Sequence, residues 1–179
     1  MSFSKFALDT ANKLRPVLTK IVPAGLLSAV KAKIVEKNTN SLSSVHIEPF
    51  DKSKYDKGIN LIGNIRGDNG LGQSMRLIAD IIDKSEIPFT INNFFVPPGG
   101  SMTDKSYDYK ITDKASYGVN VIHVNASEFT LCYMEYGNKL WNYRYNIAYW
   151  LWELEEFPEE WLNNINLVDE IWTPAEFIS

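Results

Sequence analysis

The sequence predicts an α/β domain built on a parallel sheet, and three observations predict it. Short apolar runs alternate with stretches of helical period, at 59–62, 88–91, 119–124, 145–152 and 170–172. The run YNIAYWLW at 145–152 lacks any polar alternation, as in a strand covered on both faces. The first apolar run, Ile59 to Ile62, empties into a loop carrying Gly63, Gly67, Gly70 and Gly72, and a helical pattern follows from Gln73. Strand, glycine-rich loop and helix in that order make a Rossmann-like arrangement with flanking helices. Glycine allows close approach to main-chain N–H groups, and the helix start offers them to an anion.

Residues 1–37 read as a basic amphipathic helical extension, broken around Pro23-Ala24-Gly25. They hold seven Lys or Arg against Asp9 and Glu36, a net of +5 in a chain of net −4, which leaves −9 for the rest. Such helices suit an anionic membrane surface or a partner; packing on the domain with solvated lysines is the plainer alternative. Residues 38–57 are polar and read as a linker. Residues 58–179 form the expected Rossmann-like domain. In its first helix Met75, Ile78, Ala79 and Ile82 make the inner face, and Arg76, Asp80 and Asp83 the other.

A second strand starts at Pro88, and a long irregular segment runs from Phe94 to Gly118. The third strand, from Val119, ends in His123, Val124 and Asn125. A helix is expected over 128–140. After the fourth strand, Pro158 suits the first turn of another helix, with Trp161, Leu162, Ile165 and Val168 inward. A short fifth strand covers 170–172. Thr173-Pro174-Ala175-Glu176 then announces one more helix, so the chain is expected to continue in a longer protein.

Composition narrows the function classes. The 179 residues are 45% apolar and 22% charged, ordinary for a globular domain. The single cysteine, Cys132, precludes an internal disulfide and fits a reducing compartment. His46 and His123 are too few to build a metal site without carboxylates, so no metal is expected. No apolar run is long enough to be a signal segment or a membrane span. The core is acidic and lacks a basic patch interleaved with aromatics, which argues against nucleic acid. The loop is no P-loop, because no Gly-Lys-Ser/Thr closes it. It also departs from the dinucleotide fingerprint: Met75 stands at the third glycine, and the next strand ends Ile91-Asn92-Asn93 without a ribose-binding acid. A tight turn that binds nothing fits the spacing equally well.

Two blocks, GNIRGDNGLGQSMR and NIAYWLWELEEFPEEWLNNINLVDEIWTPAEFIS, resemble retaining glycosyltransferases of the GT-B fold, family 4 type, and most closely bacterial enzymes of surface-polysaccharide synthesis. The second block carries the pattern W-E-x-x-x-F-P-x-x-W and the strand end Trp172-Thr173-Pro174, with Ala175 where serine is common. The likeness spans about residues 58 to 179.

The resemblance implies the acceptor-side half of a hexosyltransferase. It would use a nucleotide-sugar donor as co-substrate and no other cofactor, and act on a glycan or lipid-linked acceptor. The donor would be gripped mainly by a second domain absent from this chain, so the chain alone should be inactive. Gly70, Leu71 and Gly72 would face the donor's phosphate or sugar, aided by Gly67 and Arg66. His123 and Asn125 would line the acceptor side. Glu153, after the fourth strand, would bind a sugar hydroxyl or cap the next helix. No catalytic nucleophile is expected, since such chemistry is mostly positioning and charge stabilisation. Trp150, Trp152 and Trp161 are expected in the core. A cytoplasmic location is expected, with peripheral attachment to the inner membrane face through the basic extension as an option. The competing readings are a nucleotide-binding oxidoreductase domain and a non-catalytic scaffold that docks on a membrane or partner through residues 1–37.

Overall fold

The computed structural model describes residues 45–96, 100–152 and 156–174. The extension 1–37, Glu153 and the helix expected after Thr173 lie outside these residues, wholly or in their greater part. Among the described residues five strands form one sheet: β1 (Asp56–Gly63), β2 (Phe89–Asn93), β3 (Tyr117–His123), β4 (Tyr145–Tyr149) and β5 (Glu170–Trp172). The order is β2-β1-β3-β4-β5, and every neighbouring pair is parallel. A lone parallel bridge joins Ile91 to Ile111 outside β2. Counted as a strand in chain order, it makes the sequence of strands 3-2-1-4-5-6, that of dinucleotide-binding folds. The fold is therefore a Rossmann-like α/β sheet with flanking helices.

Alternating residues send each strand's side chains to opposite faces. Leu61, Val121 and Ile147 pack with Met75, Ala79 and Ile82 of α1 (Gly70–Lys84). Ile62, Ile122 and Ala148 pack with Phe129 and Cys132 of α2 (Ala126–Tyr136) and with Trp141 of the short α3 (Asn138–Trp141). The expected helix over 128–140 is thus two, divided at Gly137, whose φ of 59° is a left-handed conformation that glycine adopts freely. The fourth strand stops at Tyr149 rather than Trp152. Trp150 is buried, stacked on Phe157, and Trp152 meets Trp161 edge to face, so these aromatics belong to core packing.

The stretch Glu159–Leu167 winds as a 3-10 helix. Residues three apart then point the same way. The inward line becomes Trp161, Asn164 and Leu167, while Leu162 and Ile165, expected inside, stand 47% and 43% exposed. Asn164 fixes this winding by accepting from Thr130 Oγ1 at 2.8 Å and donating to Ala126 O at 2.9 Å.

Two polar devices lie within the apolar sheet. Thr90, Asn60, Asn120 and Asn146 stand side by side on β2, β1, β3 and β4. Asn60 Nδ2 donates to Asn120 Oδ1 at 2.9 Å, and Asn120 Nδ2 to Asn146 Oδ1 at 2.8 Å. At the amino-terminal edge the buried guanidinium of Arg144 donates to the carbonyls of Tyr117, Lys139, Leu140 and Ala115 and stacks 3.6 Å from the Tyr55 ring. Residues 45–55, the end of the expected linker, lie against the domain: Val45 and Ile47 pack on its core, and Asp51 N–H donates to Tyr143 O.

Candidate functional site

The chain leaves β1 toward β2 on one side and later returns to β3 on the other. The gap between the carboxyl ends of β1 and β3 is the switch point where open α/β sheets take ligands. A cleft of about 310 Å³ lies there. Asn64, Asn69 and Leu71 come from the loop after β1 and from α1, Phe94 to Val96 and Gly100 from the segment after β2, and His123 to Asn125 and Glu128 from the end of β3 and from α2.

Helix α1 begins at Gly70, three residues before the expected Gln73, because Asn69 is its cap. The Asn69 side chain accepts from Gly72 N–H at 2.9 Å, and its carbonyl from Gln73 N–H at 3.0 Å. The N–H groups of Gly70 and Leu71 have no intrahelical partner, as at any helix start. Gly72 and Gly67 are needed for contact between the two halves of the turn: a Cβ on Gly72 would meet Gly67 O at 2.1 Å. Gly63, at φ +153°, lets β1 and α1 close on the end of β3, since a Cβ there would sit 2.5 Å from His123 O and 3.0 Å from Met75 Sδ.

His123 is 3% exposed. Its Nε2 is 3.0 Å from Ser74 Oγ on α1, and its ring stacks on Tyr149 at 5.1 Å. Among the described residues its Nδ1 and Asn64 Oδ1, both shielded from solvent, meet no side-chain partner. Burial of the ring holds its pKa below the ordinary histidine value, so the imidazole is neutral near pH 7. The Asn125 side-chain oxygen accepts from Leu151 N–H at 3.2 Å and ties the chain leaving β4 to the cleft wall.

Leu71, His123 and Asn125 therefore meet in one cleft, with Gly70 and Gly72 in the helix turn beside it and Gly67 buried beneath. Arg66 points elsewhere: its Nε is 2.7 Å from Asp108 Oδ1. The face of α1 bearing Arg76, Asp80 and Asp83 is not simply solvated. It holds a strap over residues 100–111: Arg76 pairs with Asp104 at 3.3 Å, Lys110 with Asp83 at 3.6 Å, and Tyr107 hydrogen-bonds Asp80. The long irregular segment is in this part a fixed cover of the loop.

Sequence reasoning missed Asn64, Asn69, Ser74, Tyr149 and the apolar wall of Phe94, Phe95 and Val96. Only Asn69 carried a local signal, as an asparagine directly before a helix. Among the described residues no cluster of His, Cys, Asp or Glu could hold a metal ion, and no helix is long and apolar enough to cross a membrane. Cys132 is fully buried on α2, and burial raises its thiol well above the usual range. No protein-family model, curated protein or solved structure matches the chain.

Proposed function

We propose that this chain is the acceptor-side half of a GT-B glycosyltransferase, family 4 type, moving a sugar from a nucleotide-sugar donor to a glycan or lipid-linked acceptor in polysaccharide synthesis. The observation that carries the reading is the meeting of the Leu71 helix turn and His123 in one cleft at the switch point. The open N–H groups of Gly70 and Leu71, with the positive end of the α1 dipole, suit a phosphoryl or sugar oxygen. Neutral His123 and Asn125 add polar groups without charge, as hydroxyl recognition needs. The apolar wall of Phe94, Phe95 and Val96 faces them and excludes water. The chain supplies half of the cleft and awaits a second domain for the nucleotide, so turnover by this half alone is not expected.

The test is an amide NMR titration of the chain with UDP-glucose, GDP-mannose and dTDP-rhamnose at millimolar concentrations. The reading expects shifts at Gly70 and Leu71 with at least one donor, and at His123 with a short-chain glycan acceptor. Silence at these positions with every donor, and with a short-chain glycan acceptor as well, would favour a scaffold domain that docks without catalysis. NAD shifting the same residues more strongly would favour a dinucleotide-binding domain.

A further inference from the structure

The 3-10 winding of Glu159–Leu167 leaves an apolar pair uncovered. Residues three apart share a side, so Glu159, Leu162 and Ile165 form one exposed line. Single exposed aliphatics are ordinary. Here the surroundings carry one sign of charge. Glu156, Glu159, Glu160, Asp169 and Glu170 are all exposed. Residues 145–179 hold eight Asp or Glu and no Lys, Arg or His. Complementary chemistry lies in the same chain. Residues 26–37 place Leu26, Leu27, Val30 and Ile34 at helical spacing, with Lys31, Lys33 and Lys37 against Glu36 alone. We infer that this segment, outside the described residues, docks on its own domain at Leu162 and Ile165. Its apolar stripe covers the pair, and its lysines face Glu156, Glu159 and Glu160.

The place where the extension joins the domain supports this occupant. Val45 and Ile47 pack on the core cluster that Trp161, Leu167 and Val168 also join. Asn138 Nδ2 of α3 donates to His46 O at 2.9 Å, and Trp141 Nε1 of the same helix donates to Leu167 O at 2.9 Å. The chain therefore enters on the sheet face that carries Glu159–Leu167. The seven residues 38–44 reach at most roughly 23 Å when extended. Such a tether holds residues 26–37 near the pair at a high effective concentration, which favours the chain's own segment over that of a second copy. Helix α1 exposes Leu77 and Ile81 as well. They lie on the other face of the sheet, among Arg76, Asp80 and Lys84, and offer no single sign of charge.

The test is carbodiimide coupling of the full 179-residue chain, with the links located by mass spectrometry, alongside amide hydrogen exchange. Links from Lys31, Lys33 or Lys37 to Glu156, Glu159 or Glu160 are expected in the monomer fraction. Residues 26–37 should be protected from exchange. Leu162→Ser should lower that protection about 10-fold, and Glu159→Lys with Glu160→Lys should lower it too. Unchanged protection in β3 checks that each variant is folded. The absence of these links, links confined to a dimer fraction, or coupling of these lysines to Asp80 and Asp83 instead overturns the inference. So does protection of 26–37 that neither variant lowers, or that arises only on phosphatidylglycerol vesicles. No readout involves a cleft ligand, so the outcome is independent of what the cleft binds.

Discussion

A Cβ on Gly72 would lie 2.1 Å from the carbonyl oxygen of Gly67, whereas a Cβ on Gly70 meets nothing within 4 Å. Two glycines two residues apart in one helix turn thus have opposite requirements. Gly72→Ala must push back a main chain, and a loss of about 3 kcal/mol is expected from such overpacking. Gly70→Ala should instead gain up to about 1 kcal/mol, because alanine restricts the unfolded chain and favours the helix. Urea unfolding of both variants checks this; equal losses would mean that the turn is not packed as described.

The asparagine row predicts a large effect from a small change. Asn120 is fully buried and bonds to Asn60, Asn146 and Leu140 O. Asn120→Ala leaves Asn146 Oδ1 without its donor and opens a void, and should cost about 3 kcal/mol. Chemical denaturation measures it. A shift under about 1 kcal/mol would show that the row contributes little.

Arg66 and Arg76 sit ten residues apart and should behave differently. Arg66 makes one half-exposed ion pair, with Asp108, so Arg66→Met should change stability by less than about 1 kcal/mol. Arg76 Nη1 also donates to the carbonyls of Ile65 and Gly67 at 2.8 and 2.9 Å. Arg76→Met removes these together with the Asp104 pair, and about 2 kcal/mol is expected. Thermal melts of the two variants provide the comparison.

Stability should fall on both sides of neutrality. The unfolded chain binds a proton at a histidine near pH 6.5, as in free peptides, whereas buried His123 resists until lower pH. Its contribution is therefore complete above about pH 6.5 and lost as the pH falls toward the folded value. Asp68 and Asp104 are held below the usual range first by hydrogen bonds from Ser101 and Ser106, and add a further loss below about pH 4. Burial raises Tyr107 and Tyr136, so the opposite loss sets in above about pH 10. Melting temperatures from pH 3 to 11 test this, and His123→Phe should flatten the step below pH 6.5.

Cys132 should be inert in the native protein. Its thiol is fully buried and its pKa raised, so little thiolate is presented. Ellman's reagent should label it only after denaturant is added; rapid native labelling would place the residue at the surface.

The sheet was legible because its strands are apolar runs, and the inner face of α1 because Met75, Ala79 and Ile82 repeat with helical period. The start of α1 was not, since its glycines read as loop while Asn69 caps a helix that already contains them. The apolar residues of Glu159–Leu167 fit a period of 3.6, but the segment winds with a period of 3, which turns Leu162 and Ile165 outward. Leu71, His123 and Asn125 could be anticipated from their places at strand and loop ends. Ser74, Tyr149 and Phe94 could not, because strand order decides which residues become neighbours, and no local pattern states it. The strap on α1 is hidden for the same reason: Asp68 meets Thr103 across 35 positions.

The cleft residues lie at or beyond the carboxyl ends of the strands, whereas the Arg144 cradle gathers the opposite edge. The seven residues of β3 separate the two by roughly 20 Å at the usual rise per strand residue. The shape of the cleft and the integrity of the sheet are thus set at opposite ends of the strands. Substitutions at Asn64, Phe95 or Asn125 would reshape the cleft without touching the Arg144 staple.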